Sequence, residues 1–265
     1  MTSPWKDNAL EGKVAFMAGA TSGINLGVAE RFAELGAKVF VISRSVEKVA
    51  ATVEKLRAKG AEANGLSVDV RQYDPVAEAL KACRDEFGEI DFVLSGAAGN
   101  FVAPVLGMST NGFRTVVDID LIGTYNVCKA SFEHLKKPGA SIVNITAPQA
   151  DRPYLMQSHV CAAKAGVNML TQCLALEWGE MGVRINAISP GPIADTEGMK
   201  RLAPTPEAEE RARKAVALRR YGSAFDIAEA CVFLGTDASS YITGEIMYVD
   251  GGMVMGDGGL AQMGG

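Results

Sequence analysis

The stretch Val14-Ala15-Phe16-Met17-Ala18-Gly19-Ala20-Thr21-Ser22-Gly23-Ile24-Asn25-Leu26 decides the fold. Its first half is a short, continuous apolar run, which suits a strand covered on both faces. Glycines at 19 and 23 then mark a tight turn, and the amphipathic segment from Leu26 to Leu35 reads as a helix. Strand, glycine turn and helix in this order bring backbone N–H groups and the positive end of a helix to one point. A pyrophosphate can be held there.

The same alternation continues along the chain. Strands are expected near Val14 to Met17, Lys38 to Ile42, Ala63 to Ser67, Asp91 to Leu94, Ser141 to Ile145, Arg184 to Ile188 and Ile246 to Val249. Helices are expected over Leu26 to Leu35, Val46 to Lys59, Pro75 to Phe87, Gly112 to His134, Cys161 to Glu180 and Asp226 to Leu234. Repeated βαβ units predict an α/β fold, a Rossmann-type doubly wound domain with a seven-stranded parallel sheet, spanning residues 1–265 without a second domain. The Pro- and charge-bearing stretch of about 194–220 follows a strand end, where open α/β sheets place ligands, and is assigned as a segment covering substrate. The Gly-rich tail from Gly251 to Gly265 has two readings, a frayed end or a flap over a pocket.

Composition excludes several function classes. A 265-residue chain with 48% hydrophobic positions buries a large core, and a net charge of −5 gives no general attraction to nucleic acid or an anionic membrane. Cys83, Cys128, Cys161, Cys173 and Cys231 are odd in number and lack CxxC spacing, so neither a disulfide framework nor a zinc cluster is expected and a reducing cytoplasm is the default. His134 and His159 are too few for a multi-histidine metal site. Residues 1–11 have no apolar run and read as neither signal peptide nor membrane anchor.

At the end of the second strand stand Ser43 and Arg44. An acid there would accept ribose hydroxyls and repel a 2'-phosphate; a hydroxyl beside a guanidinium favours the phosphate, so NADP(H) is expected over NAD(H). The competing reading makes Arg44 an ordinary solvated charge.

Six motifs in one order carry a family likeness: the Ala18–Ile24 turn, Val68-Asp69-Val70, Gly96-Ala97-Ala98-Gly99, Asn144-Ile145-Thr146, Pro190-Gly191-Pro192-Ile193 and Val249-Asp250-Gly251-Gly252. From Gly12 to about Gly252 the chain resembles the short-chain dehydrogenases. The resemblance implies cofactor contacts from Gly19, Thr21, Ser22, Gly23 and Ile24; from Ser43 and Arg44; from Asp69, the adenine-side acid or alternatively a turn cap, and Val70; and from Ala97, Ala98 and Gly99. It adds Lys164 under the nicotinamide ribose, then Pro190, Gly191, Ile193 and Thr196. Asn25 stands where the common pattern has glycine, and asparagine is read as the substitute that best tolerates a left-handed backbone.

The family's proton donor is missing. Lys164 is in place, but the tyrosine expected four residues before it is Val160 and the serine thirteen before that is Ala147. Direct carbonyl reduction leaves a basic alkoxide that needs an acid at once. Two readings follow: a catalytically silent NADP-binding scaffold, or chemistry whose first product is a delocalised anion that can wait for water. The second is conjugate reduction of an unsaturated thioester, where charge spreads to the thioester oxygen.

A narrower resemblance supports it. Ala97-Ala98-Gly99-Asn100-Phe101, Val117-Asp118-Ile119-Asp120, Val143 to Ala147, His159, Glu177-Trp178-Gly179 and Thr196-Glu197-Gly198 after Pro190 to Ile193 are similar to the peroxisomal-type 2,4-dienoyl-CoA reductases. That likeness implies reduction of a 2,4-dienoyl-CoA to a 3-enoyl-CoA, an acyl-CoA partner and a homotetramer. Asp120, at the tetrad-asparagine position, is implied as a catalytic carboxylate holding the proton-donating water; it is also read as the ion-pair partner of Lys164, and the two readings are compatible. Asn100 and Phe101 are expected at the thioester pocket, with Phe101 read alternatively as a core aromatic. His159 and Tyr154 are expected at the substrate pocket as well, His159 read either as a structural residue or as a proton donor, and Tyr154 as a substitute acid for another enone or ketone. Gln149 occupies the tyrosine position of the mitochondrial type. Arg211, Arg213, Lys214, Arg219 and Arg220 are read either as a coenzyme A phosphate patch or as a solvated helix face. The ending Gln262-Met263-Gly264-Gly265 is not an SKL-type address, which points to a cytoplasmic relative.

Overall fold

In a computed structural model, which describes residues 4–196, 199, 203 and 205–256, seven strands form one sheet in the order β3-β2-β1-β4-β5-β6-β7. These are β1 (Val14–Ala18), β2 (Lys38–Ser43), β3 (Ala63–Ser67), β4 (Phe92–Ser95), β5 (Ser141–Ile145), β6 (Arg184–Pro190) and β7 (Ile246–Val249), every pair parallel. Glu197, Gly198 and the tail beyond residue 256 lie outside the described residues.

The period-two geometry of the strands divides the apolar side chains between two cores. Ala15 and Met17 of β1 and Val39 and Val41 of β2 face one; Val14, Phe16, Ala18, Phe40 and Ile42 face the other. The first is covered by α1 (Gly23–Glu34), α2 (Val46–Ala58) and the C-terminal helix α8 (Ala224–Gly235); the second by α3 (Tyr73–Phe87), α5 (Gly123–Ser131) and α6 (Ser158–Trp178). Strand order reverses between β1 and β4, and the cleft outside their C-terminal ends is where such sheets take ligands.

Two expectations needed correction. The helix expected over Gly112 to His134 is broken into α4 (Thr110–Val117), a π-helical turn over Asp118–Ile122, α5 and a terminal 3-10 turn. The extra residue in the wide turn rotates Asp120 into the interior, and such bulges are frequent at functional sites. Helix α6 starts at Ser158, three residues before the expected Cys161, so His159 and Val160 are helical. The covering segment contains a helix of its own, α7 (Pro206–Lys214), with the Thr205 side chain accepting from the Ala208 N–H and Pro206 in the first turn, where its missing donor costs nothing.

Helix α8 starts with a reciprocal cap. Ser223 Oγ accepts from the Asp226 N–H, and the Asp226 carboxylate accepts from the Ser223 N–H at 2.7 Å and from Arg220 at 2.9 Å. The Arg220 bonds, with help from Ser223, hold the Asp226 carboxyl down at about 2, against an ordinary value of 3.8. A carboxylate depressed in the folded state stabilises it above the unfolded pKa, and that contribution is lost as pH falls through the folded value. Asp226→Asn should therefore cost about 1 kcal/mol in urea unfolding at pH 7, and the gap to the unchanged protein should close between pH 4 and pH 2.

Candidate active site

Two adjoining hollows lie outside the C-terminal ends of β1, β4, β5 and β6 and share Asn25, Gly96 and Ala98 as common wall. The first is lined by Gly19, Thr21, Ser22, Ser43, Arg44, Asp69, Val70 and Ala97. The second, a cavity of about 500 Å³, is lined by Gly23, Ile24, Gly99, Asn100, Asp120, Tyr154, Lys164, Pro190, Gly191, Ile193 and Thr196. Every residue expected at the cofactor thus lines one hollow or the other.

The glycine turn depends on a missing side chain. Gly19 has φ +78°, and a Cβ there would lie 2.7 Å from the Ala97 backbone, so only glycine lets the turn lie against the loop after β4. Thr21 Oγ donates to Ser43 Oγ at 3.1 Å, joining the turn to the end of β2.

Asn25 differs from its sequence reading. It is not left-handed; it sits within α1, and its Nδ2 donates to the carbonyls of Gly96 at 2.7 Å and Gly19 at 3.3 Å. Its room comes from Gly96, where a Cβ would lie 2.4 Å from the amide. The residue is a staple between the ends of β1 and β4.

Lys48 was missed. It stands one turn into α2 and lines the first hollow with Arg44 and Ser45. Neither Arg44 nor Lys48 makes a salt bridge among the described residues. The signal was present, since a basic residue four positions after Arg44 reaches back over the first turn of the following helix. Asp69 lines the hollow and also caps its own turn, accepting from the Arg71 N–H and guanidinium, and those bonds keep its carboxyl below the usual range.

Lys164 and Asp120 form the centre of the second hollow. Their side chains are 6% and 1% exposed and 3.3 Å apart. Lys164 Nζ also donates to the Ile145 carbonyl at 2.9 Å, and the Gly99 N–H donates to Asp120 Oδ1 at 2.7 Å. The pair therefore ties α6, the end of β5 and the loop after β4 to the π-helical turn. An ammonium has three donors and each carboxylate oxygen two lone pairs, so both groups keep capacity for a ligand or water. Thr196 stands across the cavity mouth; its Oγ1 donates to Ile193 O at 2.8 Å, and its methyl lies 4.0 Å from where a Cβ of Gly23 would be.

Ala147 and Val160 line the cavity at the serine and tyrosine positions and offer no donor. Gln149, in the alternative tyrosine position, is buried and donates to Gln157 at 2.9 Å. Tyr154 does line the cavity, but burial pushes its phenol up and disfavours the phenolate.

Two expected substrate contacts are corrected. Phe101 and His159 do not line the cavity; their rings pack together with centroids 4.3 Å apart, the phenyl edge against the start of α4 near Gly112. Burial pulls the His159 pKa below the ordinary range, and the Phe101 backbone and Asp120 charge oppose this without a bond of full hydrogen-bond geometry. A neutral imidazole supporting the loop fits this position; a proton donor does not. The basic cluster is largely engaged as well: Arg213 and Lys214 pair with Glu210, and Arg220 pairs with Asp226. That arrangement matches the solvated helix face.

Comparison with known proteins agrees with the fold. The chain belongs to the short-chain dehydrogenase/reductase family: residues 19–254 match the family model described as enoyl-(acyl carrier protein) reductase. Among curated relatives it is 40% identical to a peroxisomal 2,4-dienoyl-CoA reductase [(3E)-enoyl-CoA-producing] of Arabidopsis thaliana, covering 96% of this chain and 88% of that one. It is also 40% identical to the corresponding enzyme of Saccharomyces cerevisiae, over 94% and 86%. A probable 2,4-dienoyl-CoA reductase [(2E)-enoyl-CoA-producing] of Bacillus subtilis is 35% identical over 92% and 97%. Among solved structures, a short chain dehydrogenase from Bacillus anthracis superimposes with TM-score 0.82 at 33% identity, over 92% and 98%. An actinorhodin polyketide ketoreductase variant with NADPH gives 0.84 at 27%, over 91% and 97%.

The buried pair should behave as a unit. Lys164→Met and Asp120→Asn should each destabilise the fold, Lys164→Met by about 3–5 kcal/mol because it strands a buried carboxylate. The double variant should cost less than the sum of the two. A double-mutant cycle in urea checks this.

Proposed function

We propose that this protein is an NADPH-dependent reductase of 2,4-dienoyl-CoA thioesters that forms a 3-enoyl-CoA during breakdown of unsaturated acyl chains. One observation carries the reading: a buried Asp120–Lys164 pair faces a cavity in which the serine and tyrosine positions are Ala147 and Val160. The names of the relatives support the same substrate class.

The groove suits a dinucleotide because the turn at Gly19 has no side chain and because Arg44 and Lys48, beside Ser43 and Thr21, offer cations to a 2'-phosphate. When bound, NADPH supplies the hydride. The Gly19–Ile24 turn and Thr196 would hold the pyrophosphate and nicotinamide side, and Lys164 the ribose.

The protein's own residues then determine which substrate can react. A ketone would yield a localised alkoxide facing Ala147 and Val160, with no acid beside it. In a dienoyl thioester, addition at C5 moves the C4–C5 π electrons to C3–C4 and those of C2–C3 towards the thioester carbonyl, so the charge sits on oxygen. Water held by Asp120 and Lys164 would give a proton to C2, the hydroxide left behind being neutralised by solvent, and the 3-enoyl product would result. Protonation at C4 would give the 2-enoyl product named for the Bacillus subtilis relative. Tyr154, lining the cavity, is the observation that favours the second reading, a reductase of another enone or ketone.

Exposed Phe113 on α4, Ile122 in the π-helical turn and Tyr125 on α5, with Met169 and Leu176 on α6, support a homotetramer built on these helices. Cysteines left as free thiols support a cytoplasmic setting. Among the described residues no helix is long and apolar enough to cross a membrane.

The test is NADPH oxidation with 2,4-hexadienoyl-CoA, beside a 2-enoyl-CoA and a ketone panel, with the product read by NMR. Turnover of the dienoyl thioester to the 3-enoyl isomer is expected. Asp120→Asn should lower kcat by about 10²–10⁴, while Tyr154→Phe should leave it within about twofold; the reverse pattern would establish the Tyr154 reading. Arg44→Asp should raise KM for NADPH by about tenfold or more, the loss of a charge-assisted phosphate contact, and leave NADH little changed.

A further inference from the structure

Loops are ordinarily polar, yet the sequence has no Asp, Glu, Lys or Arg between Asp91 and Arg114, nor between Arg152 and Lys164. The first follows the C-terminal end of β4; the second follows the exposed Asp151 and Arg152 in the loop after β5 and runs into α6, and the two reach the second hollow through Asn100 and Tyr154. Just beyond those two residues, their apolar side chains turn outwards. Leu106 is 103% exposed, Leu155 86%, Val105 67% and Val102 50%.

The two loops form one rim. The Ala103 N–H donates to the Met156 carbonyl at 3.0 Å, and the turn from Tyr154 to Gln157 is closed by a bond of 3.2 Å. Met156 occupies the third place of that turn with φ +60°, a left-handed conformation that costs a methionine strain and that glycine would take freely. The turn thereby holds Leu155 out at its tip. Strain combined with a solvent-facing apolar cluster is costly unless something covers it.

We propose that this rim is the binding surface for the acyl tail of the thioester, so that the enzyme prefers medium- and long-chain substrates over short ones. The inference rests on the thioester reading above and adds the chain-length class. Continuity with the cavity wall places the rim where a chain longer than the reacting diene would emerge. Its lack of charge suits an alkyl chain and not the polyanionic coenzyme A end. Covering a methylene completely is worth about fourfold in binding, and about twofold when half its surface stays wet.

The experiment measures kcat/KM for 2,4-dienoyl-CoA substrates of six, ten and fourteen carbons, each kept below its micellar concentration. It uses the full chain and the double variant Leu106→Gln/Leu155→Gln, with oligomeric state followed by light scattering. For the unchanged protein, kcat/KM should rise about twofold per added methylene, mainly through KM. The variant should flatten that slope while six-carbon turnover stays within about twofold. Flat chain-length dependence in the unchanged protein overturns the proposal, and this comparison does not depend on the variant folding. A slope retained in the variant also overturns it, and if the variant in addition changes oligomeric state, the rim is a contact between copies. Absence of turnover with every dienoyl thioester is a different result, since it removes the underlying reading of function.

Discussion

Lys164 and Asp120 hold each other in a place where neither could stand alone. An ammonium and a carboxylate cut off from water each lose several kcal/mol of solvation, and only their mutual attraction and satisfied hydrogen bonds make the burial tolerable. The bonds that satisfy them belong to other elements: the Ile145 carbonyl at the end of β5 and the Gly99 N–H beyond β4. The sheet's C-terminal edge, the wide turn and α6 therefore meet at this pair. The hydrogen bond from Gly99 N–H also means that the loop forming the common wall of the two hollows is set by the same carboxylate that faces the second one.

This dependence explains why the π-helical turn exists. A regular helix from Thr110 to Ser131 would have kept an even 100° step per residue, whereas the five-residue turn at Asp118–Ile122 shifts the phase in its middle. Thr124 Oγ1 donates to the Asp120 carbonyl at 2.7 Å and takes up an acceptor within the altered turn. The irregularity is local, and α5 resumes with its apolar side chains, such as Val127 and Cys128, in the core.

Much of the fold was legible because parallel strands covered on both faces are largely apolar runs, and β1 and the middle of β2, Val39 to Ile42, read that way residue by residue. The first hollow was legible for a related reason: a turn lined by glycines and hydroxyls at fixed offsets leaves the backbone open to a ligand. The break at Asp118–Ile122 was not legible, since Asp-Ile-Asp-Leu-Ile has the same apolar spacing in a π turn as in an α-helix. Phe101 and His159 were misplaced because sequence adjacency to Asn100 and Val160 gives no direction to a side chain. Their rings found each other instead of the cavity. Lys48 was missed because its role depends on how α2 leaves β2, and Arg44 alone already accounted for the charge.

The Asn25–Gly96 pair limits the order in which this site can change. With asparagine at 25, any side chain at 96 collides with the amide; with glycine at 25 that collision disappears, and so does the staple between the ends of β1 and β4. Substitution at 96 is therefore conditional on prior loss of the amide at 25. A recombination library that exchanged the first βαβ unit of this chain without its fourth strand would break the pair in one step, although neither parental segment is defective by itself. The natural crossover point lies after Gly96.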